Sequence, residues 1–557
     1  MPVGPQNIIV TRVIASASQS HEAFASAQRR RENTSSMTSP PGPNSLRRDK
    51  TCHVKHLGYS DREELERQDV RVDVPGDIQR SGKWVTAAYD ILTDSLYPRD
   101  ATINIEQKFL ALSDLDHILS EEFTGDLLRE AFRHESGPTP EVKDIHGTSF
   151  KSRRKQILAT LVFIEGVSLI KTFVKEGVFD DSLPLPSDHR IFASWRRKDR
   201  IDFHSQQYAV LAPFFNFSSD KMRHYVLPQH TRMPFMEPQT RIGRGKDGDI
   251  WRTEIHPDHQ YWEASKFYPR YFAVKEFSSS NDDEDDFKTF KSEKRALKRF
   301  SGPNKGHPHL IRLLLSYQIG ERYFMIFQLA ESNLKELWKK QDANREGPND
   351  LIWLTQQCYG VGRGLQKIHR HDSWLQRYGG SGHKRNQNRG RHGDIKPENI
   401  LCFEQPGPER FRLVIADFTL MRFHGESSLG LSLARGMAHS PKYRPPELNL
   451  SHRTKVNQSY DIWTLGCVFL EFLTWYLLGD DAVYGNSFVE RSTGKNLQTF
   501  DLVRWHDDDK IYGYQENKFF NLVPNSSVPQ VKKSVTQVSK PRQTRQSNES
   551  PKLTRLP

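Results

Sequence analysis

The sequence predicts an α+β fold, in which a helical region leads into a small strand-rich region and then a mainly helical one. Three observations predict it. Stretches at helical period occupy residues 109–132, 152–177, 351–368 and 461–478. The glycine-rich RIGRGKDGDIW is followed by the strand-like runs IWRTEI and YFAVKEF. Two short apolar runs, 400–403 and 413–416, flank the loop EQPGPER and read as a hairpin of buried strands.

Length leaves room for two to four domains, and 36% hydrophobic with 11% aromatic residues is enough to build a core. Cys52, Cys358, Cys402 and Cys467 form no CxxC pair, which points to a reducing, intracellular compartment, cytoplasmic or nuclear. The net charge of +12 is concentrated at the ends: residues 1–56 carry +5 and residues 531–557 carry +6. The body is therefore nearly neutral, and neither a basic folded surface nor nucleic acid as main partner is expected. ILATLVFIEGVSLI and CVFLEFLTWYLL are interrupted by Glu165 and Glu471 and read as too short to cross a bilayer, so no membrane partner is expected. NIIVTRVIA, broken by Arg12, is not a secretory signal.

Taken in order, residues 1–56 read as a disordered basic tail, with SPPGPNS at 39–45. Residues 57–235 read as a packed helical region with no chemical constellation. Within it, 109–132 carries leucines at helical spacing, and 152–177 reads as two helices broken near Gly166 and closed by Gly177. Gly243, Gly245 and Gly248 follow. A surface hairpin is the plain reading of GxGxxG, but no helix follows it, so a dinucleotide fingerprint fails. The acidic NDDEDDF suits a helix start, and the helix reads from 290 to 300, leaving Glu284 before it. Leu351, Leu354, Cys358, Val361, Leu365 and Ile368 form one apolar helical stripe. The Gly- and Arg-rich loop up to Arg391 reads as a solvated insertion.

HGDIKPENIL then places Asp394, Lys396 and Asn399 just before one hairpin strand, and Asp417 just after the other. Two carboxylates, an amide and an ammonium converge at one end of that hairpin. Phosphoryl transfer needs such a set: a base for a hydroxyl proton, oxygen ligands for Mg²⁺ and a cation for the transferred phosphate.

H-x-D-x-K-x-x-N followed by D-F resembles the eukaryotic protein kinase family, Ser/Thr type, and the resemblance implies a two-lobed fold with a small antiparallel β lobe and a mainly helical lobe. The expected domain runs 236–525, its lobes 236–329 and 330–525, with a disordered basic tail at 526–557. The helical leader is similar to that of filamentous-fungal kinase-like proteins. By resemblance ATP is bound by Ile242, Gly243, Gly245, Gly248, Ile250, Ala273, Lys275 with its partner Glu293, and hinge backbone at Leu329; Ile326 lies near the adenine. Asp394 is implied as base, Lys396 on the γ-phosphate, and Asn399 with Asp417 on Mg²⁺. Protein serine and threonine hydroxyls are the implied substrates; oligomeric state stays open.

Departures from the family pattern are Gly393 for Arg, Thr419 for the glycine of D-F-G, and Pro445-Pro446-Glu447 for A-P-E. If the Thr419 position needs a positive φ, threonine is strained there. Ser427, Ser428 and Ser432 are candidate phosphorylation sites, although the usual arginine receiver is replaced by Gly393. The helix starting at Asp461 resembles the scaffold helix of the large lobe. After a helix near Phe519 the chain turns polar, so the last lobe helices and the partner of Glu447 are expected to be missing. An active kinase and a kinase-like scaffold that binds without turnover both remain open on the sequence.

Overall fold

Buried aliphatic residues at helical spacing build the leader around Lys155–Phe163. Ile157, Leu158, Ala159, Leu161 and Val162 on it are all at 0% exposure, so the helix is apolar nearly all round and sits in the core. Asp180 caps it from another segment, its carboxylate accepting the N–H groups of Gln156 at 3.1 Å and Ile157 at 3.0 Å. Residues 109–132 split into strand Phe109–Leu110 and helices Leu112–Ile118 and Glu121–Ala131. Ser120 caps the second helix through Phe123 N–H, with Glu121 and Glu122 in the first turn. The expected break at Gly166 and stop at Gly177 are both present, with φ +64 at Gly177.

The computed structural model describes residues 83–217, 222–245, 248–262, 269–277, 283–301, 305–340, 348–369, 389–405, 411–424, 441–446, 448, 456–484, 487–489, 496–498, 519–522, 529–532 and 535. The expected basic N-terminal tail, Cys52, Ser427, Ser428, Ser432, Glu447 and most of the Gly/Arg-rich loop lie outside these residues. Contacts divide the chain into two units, one built on Gly42–Gly306 and Arg312–Leu329, the other on His307–Ile311 and Ala330–Pro557.

In the first unit a six-stranded sheet is built from β1 (Arg223–Leu227), β2 (Thr240–Gly245), β3 (Gly248–Glu254), β4 (Tyr271–Phe277), β5 (Leu315–Ile319) and β6 (Arg322–Gln328). Their order is β1-β5-β6-β4-β3-β2, antiparallel except for the parallel β1–β5 pair. β1 belongs to the leader, so a boundary at 235/236 would cut this sheet. Alternation on β1 sends Tyr225 and Leu227 into an aromatic layer with Phe215, Phe217, Phe235, Phe272, Tyr317 and Phe324 on one face. Helix α1 (Asp283–Lys298) packs on the other face through Phe290, against Phe277 and Tyr323. It begins at Asp283 and takes in Glu284, earlier than the apolar spacing suggested, because the acidic run itself forms the first turns.

One buried side chain ties distant stretches of the leader to one another. The buried Arg232 guanidinium donates to the carbonyls of Ile105 (3.1 Å), Lys108 (2.8 Å) and Ser205 (3.2 Å) and to Gln206 Oε1 (3.1 Å). Burial lowers Arg232 to about 10, so it stays charged near neutrality.

The second unit holds helices α2 (Pro348–His369) and α3 (Ser459–Leu478) and the hairpin β7 (Ile400–Glu404)–β8 (Phe411–Ile415). On α2 Leu354, Val361, Leu365 and Ile368 of the apolar stripe are buried, Cys358 is partly buried, and Leu351 is 49% exposed. α3 is longer than the apolar run alone suggested and, by length and composition, could cross a bilayer. Half of its most apolar stretch is buried, and Glu471 at 0% exposure is paired with Lys442 Nζ at 2.7 Å and accepts a hydrogen bond from Tyr443 Oη at 2.7 Å, as on a core helix. At the C-terminal end Phe520–Leu522 pairs with Pro529–Val531, where a helix and then a disordered tail were expected. Lys532 and Val535 are buried beside it, so ordered structure runs past residue 525.

Candidate active site

The glycine hairpin forms as its spacing suggests, with β2 and β3 antiparallel and closing at Gly245↔Gly248; Gly248 has φ +134. A bulge between Arg241 and Gly243 leaves Ile242 at 49% exposure, while Ile250 lies opposite Gly243. A Cβ on Gly243 would meet Ile250 only at 3.6 Å, ordinary contact. Hairpin packing thus does not demand glycine there.

Lys275, on β4 between β3 and β6, donates to Glu293 Oε2 of α1 at 2.7 Å. Glu293 is 2% exposed. Breaking such a pair leaves its partner as a buried lone charge, at a cost of about 3–5 kcal/mol. Ala273 lies opposite Phe327, and Ile326 opposite Val274. At the expected hinge backbone, Leu329 N–H donates to the Tyr271 carbonyl at 3.3 Å.

In the second unit the catalytic-loop residues converge. His392 Nδ1 accepts Asp394 N–H at 3.3 Å, so Nε2 carries the proton and donates to Ala416 O at 3.0 Å. That bond ties the loop to the end of β8. Asp461, at the start of α3, accepts His392 N–H at 2.7 Å and Gly393 N–H at 2.8 Å, and His369 Nε2 lies 2.9 Å away. Lys396 Nζ sits 2.6 Å from Asp394 Oδ2. Asn399 Nδ2 donates to Asp394 O at 2.9 Å and to Asp394 Oδ2 at 3.0 Å, which turns its Oδ1 away from that carboxylate. Asn399 N–H and O bond Lys396 O and Ala416 N–H, so the amide is fixed by backbone on both sides.

The departures acquire physical reasons. Gly393 has φ +92, and a Cβ there would stand 3.1 Å from Leu420 O, so glycine suits this turn. Positive φ falls on Asp417 (+61) and not on Thr419, so the strain expected at threonine is absent. Thr419 Oγ1 instead donates to Asp417 Oδ1 at 2.6 Å. Phe418, fully buried, meets the His392 ring edge-on at 5.4 Å. Arg389–Arg391 pairs with Arg422–His424, a strand pair that the apolar spacing does not mark.

Residues 241–487 match the protein kinase domain family. Over these residues the chain is similar to protein kinase domains. Mouse cyclin-dependent kinase-like 4 is 27% identical to it over 300 residues, covering 53% of this chain and 69% of the relative. The human protein of that name is 28% identical over 204 residues, 36% of this chain and 44% of its own length. Mouse serine/threonine-protein kinase ICK is 28% identical over 177 residues, 30% of this chain and 22% of its own. The kinase domain match thus begins at β2, and β1 with the helical leader lies before it.

The donor set suits the cofactors that such a domain uses. An amide oxygen on Asn399 and a carboxylate on Asp417 are hard oxygen ligands of the kind Mg²⁺ takes beside phosphate.

Proposed function

We propose that the chain is a protein serine/threonine kinase, transferring the γ-phosphate of Mg-ATP to protein hydroxyls inside the cell. The observation that carries this reading is the convergence of Lys396 Nζ and Asn399 Nδ2 on the Asp394 carboxylate. In it, Asp394 takes the proton of the attacking hydroxyl, and Asn399 fixes the rotation of that carboxylate. Lys396 offers its ammonium to the group in transfer. Bound Mg-ATP supplies the phosphoryl group and the metal charge that offsets developing negative charge. Asn399 Oδ1 and Asp417 would hold that metal, and Lys275, steadied by Glu293, would orient the nucleotide phosphates.

Turnover is favoured over a binding-only scaffold because the geometry accommodates both departures nearest the chemistry. Gly393 fits its φ, and Thr419 keeps contact with Asp417. The test is radiolabelled transfer from Mg-ATP to protein serine or threonine, comparing the wild-type chain with Asp394→Asn. Label that falls by about 10²-fold or more in the variant supports the reading. A folded wild-type chain that binds ATP and transfers no label sinks it in favour of the scaffold.

A further inference from the structure

β1 puts His224 at the end of a cross-strand row that also holds the lysine of the proposed nucleotide site. Register pairs His224 with Ser316, Ser316 with Met325, Met325 with Lys275, Lys275 with Ile250 and Ile250 with Gly243. Residues opposite one another in a pleated sheet share a face, so His224 and Lys275 project from the same side. α1 lies on that side. Its Phe290 stacks on Tyr323 at 4.9 Å and meets Phe277 edge-on at 5.4 Å. Glu293, three residues further along the helix, shares that inward stripe and reaches Lys275.

A third ring against Phe290 comes from the leader. The His224 ring lies 5.8 Å from that of Phe290, and its Nδ1 is 3.0 Å from Ser316 Oγ. Ser316 is fully buried, so this hydrogen bond is shielded from water and sets the ring's orientation. Burial, and then the nearby Lys294 ammonium, push His224 down to about 4. The ring is therefore neutral near pH 7 and serves as aromatic surface with one fixed polar contact. The other face of the strand is anchored independently. Tyr225 is buried against Phe215 at 5.3 Å, and its Oη accepts Asn216 N–H at 3.0 Å. β1 is thus held from behind by the leader while it presents His224 to the helix.

We propose that the leader strand Arg223–Leu227 is a positioning element for the nucleotide site: through His224 on Phe290 and Ser316 it sets α1 so that Glu293 stays on Lys275. The inference rests on Lys275 serving nucleotide, and it assigns the leader a role that the kinase match, starting at β2, does not cover. A helix in water owes most of its stability to tertiary packing, so removing one of three rings under Phe290 shifts α1 toward looser positions.

The experiment uses the full chain and reads amide hydrogen exchange across 283–298, with calorimetric binding of a non-hydrolysable Mg-ATP analogue. His224→Ala is expected to speed exchange in α1 and to weaken the analogue, each by about threefold or more. Exchange in Lys155–Phe163 stays unchanged. The double variant His224→Phe/Ser316→Ala keeps a ring on Phe290 and replaces the hydrogen bond by apolar contact, so it returns both readouts to within about twofold of wild type. If His224→Ala does not fold, Ser316→Ala alone carries the same expectation in direction. A folded His224→Ala chain with unchanged α1 exchange and unchanged affinity overturns the proposal. A wild-type chain that binds no analogue overturns the kinase reading instead, and α1 exchange then decides the positioning role by itself.

Discussion

Thr419 donates its hydroxyl to Asp417 Oδ1 at 2.6 Å, and its N–H approaches the same oxygen at 3.3 Å. Threonine thus does one thing glycine cannot at this position: its hydroxyl holds one oxygen of a proposed metal ligand, and it does so without a positive φ. A hydrogen bond to a charged group is worth about 1.5–3 kcal/mol. Thr419→Val, which keeps the shape and loses the hydroxyl, should raise the Mg²⁺ concentration needed for half-maximal nucleotide binding by about tenfold, and Thr419→Ser should not. Equal Mg²⁺ titrations for wild type and Thr419→Val would show the hydroxyl to be incidental.

Asp461 serves three partners from one buried carboxylate. Asp461→Ala leaves two buried backbone N–H groups without an acceptor, at about 1–3 kcal/mol each. The expected result is a Tm lowered by several degrees together with loss of transfer. Asp461→Asn keeps an acceptor and should lie between. Wild-type Tm in Asp461→Ala would contradict the hydrogen-bond geometry.

Gly393→Arg restores the family's common residue but places a side chain at φ +92 beside Leu420 O. Strain of about 1–3 kcal/mol follows, and the variant should be less stable and no more active than wild type. Phosphatase treatment of the wild-type chain should leave most of its activity, since glycine offers a loop phosphate no guanidinium. A large loss after phosphatase would overturn this.

Asp180 gives a pH signature. Burial raises its carboxyl to about 6 from an ordinary 3.8, outweighing the N–H donors of Ile157 and Gln156. A folded value above the unfolded one means the contribution is whole at pH below about 3.8 and is lost as pH rises through about 6. Between pH 5 and pH 7 that amounts to about 1 kcal/mol. Denaturant midpoints should therefore fall less over this interval in Asp180→Asn than in wild type; identical pH trends in the two chains would remove Asp180 as the cause.

The catalytic loop and the β7–β8 hairpin are legible in the sequence because their chemistry and apolar spacing are local: HGDIKPENIL and LVIADF each fit within one turn and one strand. The Lys275–Glu293 pair is legible only through resemblance, since apolar spacing starts α1 too late and the acidic first turns look solvated. β1 is not legible at all. RHYVL is short, carries two polar residues, and has no turn signal joining it to a neighbour. Its partner is specified by tertiary packing, which no local pattern records. The role of Gly393 is equally hidden, because the nearby Leu420 carbonyl that crowds the turn comes from a distant part of the sequence.

The β1–β5 pairing also has a temporal side. His224 and Ser316 stand 92 residues apart in the chain. At about 5–20 residues per second of synthesis, β1 waits roughly 5–20 s for the strand it pairs with, and the intervening glycine hairpin, β4 and α1 are all made in that gap. During it, the aromatic side of β1 has only leader residues such as Phe215 to rest on. The sheet is thus completed late and from both ends of a long loop, a slow, high-contact-order step in which a nascent chain with its leader already folded still has an open strand edge to protect.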